Sequence, residues 1–159
     1  MLRRVACLVV LGMVSGVVAA QDSKSEHVLF TPAQAKWSDP PPVFEKGASF
    51  TVVSGDPSKP GLYVVRLKVP AGYKIAPHWH PTDEHVTVVS GSFALGMGEK
   101  FDKAALKTLP AGGYALLPAE MRHYAMAMTA AVVQVHGQGP FALTYVNPAD
   151  DPSKRTPAK

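Results

Sequence analysis

The chain has 159 residues, which suffices for one domain with a good core and is too short for two. Its formal charge of +4 is small and its lysines are scattered, which speaks against nucleic acid or a polybasic membrane patch as a partner. A single cysteine excludes an internal disulfide framework.

Residues 1–20, MLRRVACLVVLGMVSGVVAA, read as a secretory signal peptide. Arg3 and Arg4 supply the positive start, Val5 to Val18 the apolar stretch, and Val18-Ala19-Ala20 a small-residue cleavage site before Gln21. The apolar run is shorter than the roughly 20 residues that span a bilayer, so an anchor is disfavoured. The pair Arg3-Arg4 lacks the rest of a twin-arginine signal, which leaves the general secretory route. Cleavage removes Cys7, so any metal must be held by nitrogen and oxygen, and the charge falls to +2 with the loss of two arginines. The expected product is periplasmic or secreted, with no membrane span once the signal is gone.

Residues 21–47 are polar and carry Pro32 and Pro40-Pro41-Pro42, which predicts an extended, Pro-rich N-terminal arm. His27, Trp37 and Phe44 are the side chains that would pin the arm across the barrel, although His27 reads more simply as an ordinary surface residue. From Ala48 short apolar runs alternate with Gly and Pro, the pattern of an antiparallel all-β sandwich or barrel. Strands are expected near Ser49–Val53, Leu62–Val69, Pro77–His80, His85–Val89 and Phe93–Met97. Further strands are expected near Tyr114–Leu117, His123–Met128, Ala131–His136 and Phe141–Tyr145, with one helical turn within Phe101–Leu106. In the second strand Arg66 and Lys68 share a face, so Tyr63, Val65 and Leu67 should face inward. A polar C-terminal tail follows over 147–159.

The richest stretch is Gly72 to Gly91, GYKIAPHWHPTDEHVTVVSG. His78 and His80 are two apart, so in an extended strand both imidazoles point to one face, about 7 Å apart along the backbone. Trp79 points the other way, Pro81 to Asp83 form a turn, and Glu84, Val86 and Val88 share the inner face of the next strand.

These residues resemble the first motif of the cupin superfamily: Gly72, five residues, His78-x-His80, three residues, Glu84, six residues, Gly91. A second, looser cupin motif is similar to Gly112, Pro118 and His123 in spacing. It departs at Glu120, where the family usually has Gly, and at Ala127, where it usually has Asn. The first departure bears on the turn Pro118-Ala119-Glu120, because Glu adopts the backbone angle of a Gly only with strain. The resemblance implies a single-domain jelly-roll β-barrel over 48–146. It also implies one divalent metal ion held by His78, His80, Glu84 and His123. Three neutral imidazoles and one carboxylate leave such a site at net +1, which favours an anionic ligand. Fe, Mn, Ni, Co, Cu and Zn all suit that donor set. If His123 points inward, so do Ala125 and Ala127, and Ala127 suggests open space near the metal.

The other polar residues have blander readings. His85 faces away from Glu84 and is structural or exposed, and His136 shares a face with Gln134, opposite Val133 and Val135. Asp83 and Glu120 read as solvated loop acids, with Glu120 near enough to the pocket mouth to carry protons. Tyr63, Tyr114 and Tyr145 read as packing residues. There is no G-x-S-x-G, phosphate loop or dinucleotide fingerprint. Valines, alanines and methionines suggest a compact apolar pocket for a small-molecule substrate. Three functions stay open: a dioxygenase-like oxidoreductase, a non-catalytic metal or small-ligand binding or sensing protein, and a Lewis-acid isomerase or lyase. A homodimer is expected by analogy alone.

Overall fold

The computed structural model describes residues 27–155; the signal-peptide reading of residues 1–20 and the end of the tail, 156–159, lie outside them. Alternating burial sorts each strand into an inner and an outer face. In β2 (Gly61–Val69) Tyr63, Val65, Leu67 and Val69 are buried, while Arg66 and Lys68 face out. In β4 (Glu84–Ser90) Val86 and Val88 are buried, and in β9 (Ala131–Gly139) Ala131, Val133 and Val135. With β1 (Ser49–Ser54) and β7 (Tyr114–Leu117) these strands form one antiparallel sheet in the order β1-β2-β9-β4-β7. A second sheet has the order β10-β3-β8-β5-β6. It is built from β3 (Lys74–Trp79), β5 (Ser92–Met97), β6 (Lys107–Pro110), β8 (His123–Ala127) and β10 (Thr144–Tyr145). Phe93, Leu95, Ala125 and Ala127 carry its side of the core. Two five-stranded sheets facing one another across a shared core make an all-β jelly roll.

Several elements differ from the sequence reading. β6 was not expected, because Lys107 and Pro110 give it a loop-like composition; it pairs with β5 at the sheet edge, where Pro is tolerated. The helical turn is a short 3-10 segment, Lys103–Ala105, in which the Asp102 carboxylate accepts the Ala104 N–H. β3 begins at Lys74, three residues earlier than expected, and stops before His80. The last strand is cut to Thr144–Tyr145, leaving Phe141 in a loop. No described helix is long and apolar enough to cross a membrane.

The segment before β1 folds back over the body. Ser38 pairs with Phe50, Trp37 lies under the Lys68 ammonium, and Phe44 stacks on Phe141. His27 is exposed. Over residues 147–155 the chain forms two 3-10 turns, Pro148–Asp150 and Pro152–Lys154, and Arg155 then pairs with Glu45 at 2.6 Å.

Candidate metal centre

Two sheets contribute to one site. His78 in β3 is the direct cross-strand neighbour of His123 in β8, and Glu84 arrives from the opposite sheet as the first residue of β4. A bulge sets the aim of β3. Ile75 pairs with Ala125 and His78 with His123, so two residues on β3, Ala76 and Pro77, oppose one on β8, Tyr124. The extra residue restores the parity that brings both Ile75 and His78 to the inner face, and Pro77 sits inside this bulge, where a missing N–H costs no ladder bond. His80 follows in the loop after β3, and Trp79 turns out under Arg122.

The loop around His80 is tied to the turn that leads into β8. The Glu120 N–H donates to the His80 carbonyl at 2.8 Å, and the Ala119 N–H donates to Asp83 Oδ1 at 2.8 Å. Glu120 holds φ of 61°, alone among the described non-glycine residues in having a positive value. The strain expected where the family has Gly is therefore present, in a turn that keeps its shape. The Glu120 side chain is exposed and does not line the cavity, so the proton-carrier reading finds no geometric support.

The four side chains converge. Their ligand atoms all lie within 4.8 Å of one another, as a group that could hold one metal ion. His80 Nε2 and His123 Nε2 stand 3.5 and 3.3 Å from Glu84 Oε2. Groups bound at about 2.1 Å to a common ion stand roughly 3.0 to 3.4 Å apart, which the His123 separation meets and the His80 separation slightly exceeds. The histidine rings pack at centroid distances of 4.2 to 5.4 Å, and all three are buried.

The decisive feature is which nitrogen each ring leaves free. His78 Nδ1 donates to the Ala76 carbonyl at 2.8 Å, His80 Nδ1 to Ala142 at 2.7 Å, and His123 Nδ1 to Met121 at 2.9 Å. A carbonyl only accepts, so each Nδ1 carries the proton and each neutral ring turns a bare Nε2 lone pair away from it. His80 Nε2 and His123 Nε2 are buried with no hydrogen-bond partner. Buried lone pairs beside an ionised carboxylate repel one another unless a cation or proton sits between them. The residues therefore fit a divalent metal.

Electrostatics agree with this. Burial, followed by the neighbouring His123 and His80, pushes the His78 pKa down to about 3, so this ring stays neutral. Burial alone would raise Glu84, but the three imidazoles gathered around it, His123 foremost, outweigh burial and bring the carboxyl to about 2.

The cavity in front of these groups is almost wholly apolar. Phe44, Phe50, Phe93, Val133, Val135 and Phe141 are among its walls, with Tyr63 as the polar residue beside the four ligating groups. Burial and then the Glu84 charge push the Tyr63 hydroxyl up to about 12, so it is a donor at neutral pH and not a base. The expected methionine lining is absent from these walls, and aromatic rings take its place. Ala125 lines the cavity; Ala127 is instead buried in the core beyond it, paired with Phe93. The space in which the centre of a water molecule fits is about 40 Å³, room for a few waters or one small ligand.

Outside the cavity, His85 and His136 lie directly opposite each other on neighbouring strands, their rings stacked at 4.6 Å and 4°. The His85 Nδ1 meets the Tyr114 hydroxyl at 2.7 Å. Val133 and Val135 take the inner face of β9, which settles His136 as outward. Sequence reasoning missed the carbonyl partners of Nδ1 and the role of Phe141; the backbone oxygens have no side-chain signal, while an aromatic residue beside Pro140 was a readable one.

Solved structures of the same fold include the polyketide cyclase RemF of Streptomyces resistomycificus, 14% identical, with a TM-score of 0.66 over 81% of this chain and 92% of that one. A candidate acetylacetone dioxygenase of Methylibium petroleiphilum PM1 is 23% identical, with a TM-score of 0.63 over 84% and 90%. KdgF from Halomonas sp. is 22% identical, with a TM-score of 0.54 over 69% and 92%. A search of curated proteins finds no significant match. The family comparison matches residues 25–142, most of the chain, and with the two facing sheets and the His-x-His, Glu and His positions it assigns this chain to the ChrR cupin-like domain family of the cupin superfamily.

Proposed function

We propose that this chain is an exported, metal-dependent cupin with dioxygenase-like oxidoreductase activity, taking dioxygen and a small enolisable or phenolic substrate. The observation that carries the metal part is the set of three Nδ1-anchored histidines whose Nε2 lone pairs meet the Glu84 carboxylate in a buried pocket. A divalent ion there supplies positive charge and, if six-coordinate, two positions for exogenous oxygen ligands. Glu84 cancels one unit of that charge, and the remaining +1 favours an anionic head group. The apolar walls exclude water and favour a compact body, while the Tyr63 hydroxyl offers one hydrogen-bond donor.

Like-folded proteins carry names as different as cyclase and dioxygenase, so the fold does not choose the reaction. The lining disfavours the isomerase or lyase reading: among the described residues, Tyr63 alone joins the four ligating groups as a titratable side chain there, and Tyr63 is no base at neutral pH. Export is supported by Arg3-Arg4, the apolar run to Val18 and the small residues before Gln21.

The test is elemental analysis of protein purified without chelator or added metal, followed by oxygen uptake with a panel of phenols and enols. Stoichiometric iron or copper with substrate-dependent uptake supports the proposal. Zinc with no uptake moves the assignment to a binding or sensing protein, and no metal at all overturns it.

A further inference from the structure

Phe44 belongs to the arm before β1, yet it reaches the cavity. Phe44, Pro57, Phe141 and Leu143 line the cavity, are partly exposed to solvent as Phe50 and Ile75 are, and unlike those two lie outside the strands, in the arm and loops that form its rim. Across that rim the Phe44 and Phe141 rings lie nearly parallel, at 6.1 Å and 13°. Phe141 also meets Tyr63 edge-on at 6.2 Å and the His80 ring at 5.6 Å, so the same ring touches the mouth and the centre.

Both halves of this pair are fastened from behind. The carbonyls on either side of Phe44 each accept a tyrosine hydroxyl: Val43 from Tyr145 and Glu45 from Tyr73, both at 2.7 Å. The Glu45 carboxylate is held by Arg155 at 2.6 Å. On the other side the Phe141 N–H donates to the Pro57 carbonyl at 2.7 Å, and the next residue, Ala142, supplies the carbonyl that orients His80. An arm that were only a tether would not need two tyrosine hydroxyls bracketing one phenylalanine.

We propose that Phe44 and Phe141 form an aromatic gate over the pocket, and that this gate limits ligands to small ones with a single anionic head and at most one six-membered ring behind it. The narrow free space is what a closed gate leaves. The anionic head rests on the metal reading above; the gate itself belongs to the metal-free protein as well. Opening requires the Phe44 ring to swing off Phe141 by side-chain rotation, while the clamped backbone on either side of it stays in place.

The experiment reads access to the centre with and without metal. Metal-free wild type, Phe44→Ala and Phe44→Leu are labelled with diethyl pyrocarbonate, and rates are read at each histidine by peptide mass spectrometry. His85 and His136 on the outside serve as internal references. The gate predicts labelling of His78, His80 and His123 roughly tenfold faster in Phe44→Ala, with the references unchanged. If Phe44→Ala loosens the whole fold, seen as faster labelling of His85 and His136, the milder Phe44→Leu carries the comparison with a step of about threefold. Equal inner rates in wild type and in the variant that keeps reference rates overturn the gate. In cobalt-loaded protein, azide should alter the visible bands of wild type and Phe44→Ala alike, and 2-naphthoate only those of Phe44→Ala. Naphthoate acting on wild type overturns the size limit. Failure of every variant to take up cobalt refutes the metal reading, while the labelling rates still decide the gate.

Discussion

Glu84 and His85 are neighbours in β4, and the pleat sends one to the centre of the barrel and the other to its outside. Both regions gather imidazoles at short range. Inside, each ring is locked by a backbone carbonyl at Nδ1 and presents a lone pair to a shared point. Outside, His85 and His136 stack face to face, with one Nδ1 on a tyrosine hydroxyl and solvent within reach. Proximity of histidines therefore says little; orientation by the backbone and convergence on a carboxylate distinguish a cation site from a surface stack.

The largest effect that would break this contrast comes from single alanine replacements. His80→Ala should weaken metal affinity at least about 100-fold, since even loss of a partner behind a ligand costs roughly 10- to 100-fold. His85→Ala should leave affinity within about twofold, because its ring lies outside the group of four. Titration of both variants with zinc or cobalt checks this, and equal losses would mean that the strand register is wrong.

The same parity can be tested in the core one strand away. Leu117 in β7 is 1% exposed and Leu116 is 47% exposed. Leu117→Ala should cost about 2–5 kcal/mol in denaturant unfolding, and Leu116→Ala within about 0.5 kcal/mol.

Acid separates the regions by degree. Metal-free His78 resists protonation until about pH 3, whereas the unfolded chain takes up that proton below its ordinary value of 6.5. The unfolded state binds more protons across that window, so stability is full above pH 6.5 and falls as the pH drops toward 3. Glu84 adds a loss of the same sign between its ordinary 4.5 and about 2. His136, lowered by burial and then by His85, contributes in the same direction from a less buried position. Unfolding midpoints of His136→Ala between pH 7 and 4 should keep most of the wild-type slope; loss of that slope would place the acid sensitivity outside.

The smallest effect concerns the turn that braces His80. Glu120→Gly should stabilise the protein by about 0.5–1 kcal/mol by relieving the positive φ, as read from the melting midpoint.

Much of this architecture was legible because period-two alternation is a direct record of strand faces. It placed Tyr63, Val65 and Leu67 inward in β2 and separated Glu84 from His85. It failed where the backbone breaks period. The bulge in β3 shifts parity between Ile75 and His78, and Pro77 inside it disguises the strand's true start. β6 is an edge strand whose side chains read as loop. The partners that fix the inner imidazoles are the carbonyls of Ala76, Met121 and Ala142, and a main-chain oxygen leaves no mark on a residue's identity. The aromatic rim joins an arm residue to a loop almost a hundred positions away, a contact that local composition does not encode.

The most direct test of the central claim is X-ray absorption of the metal-loaded protein at the edge of its bound ion. The account predicts one ion per chain whose scattering shows three imidazoles and one carboxylate in the inner shell, a pattern that persists in His85→Ala. An ion with fewer imidazoles, or one whose spectrum changes in His85→Ala and not in His123→Ala, would contradict it.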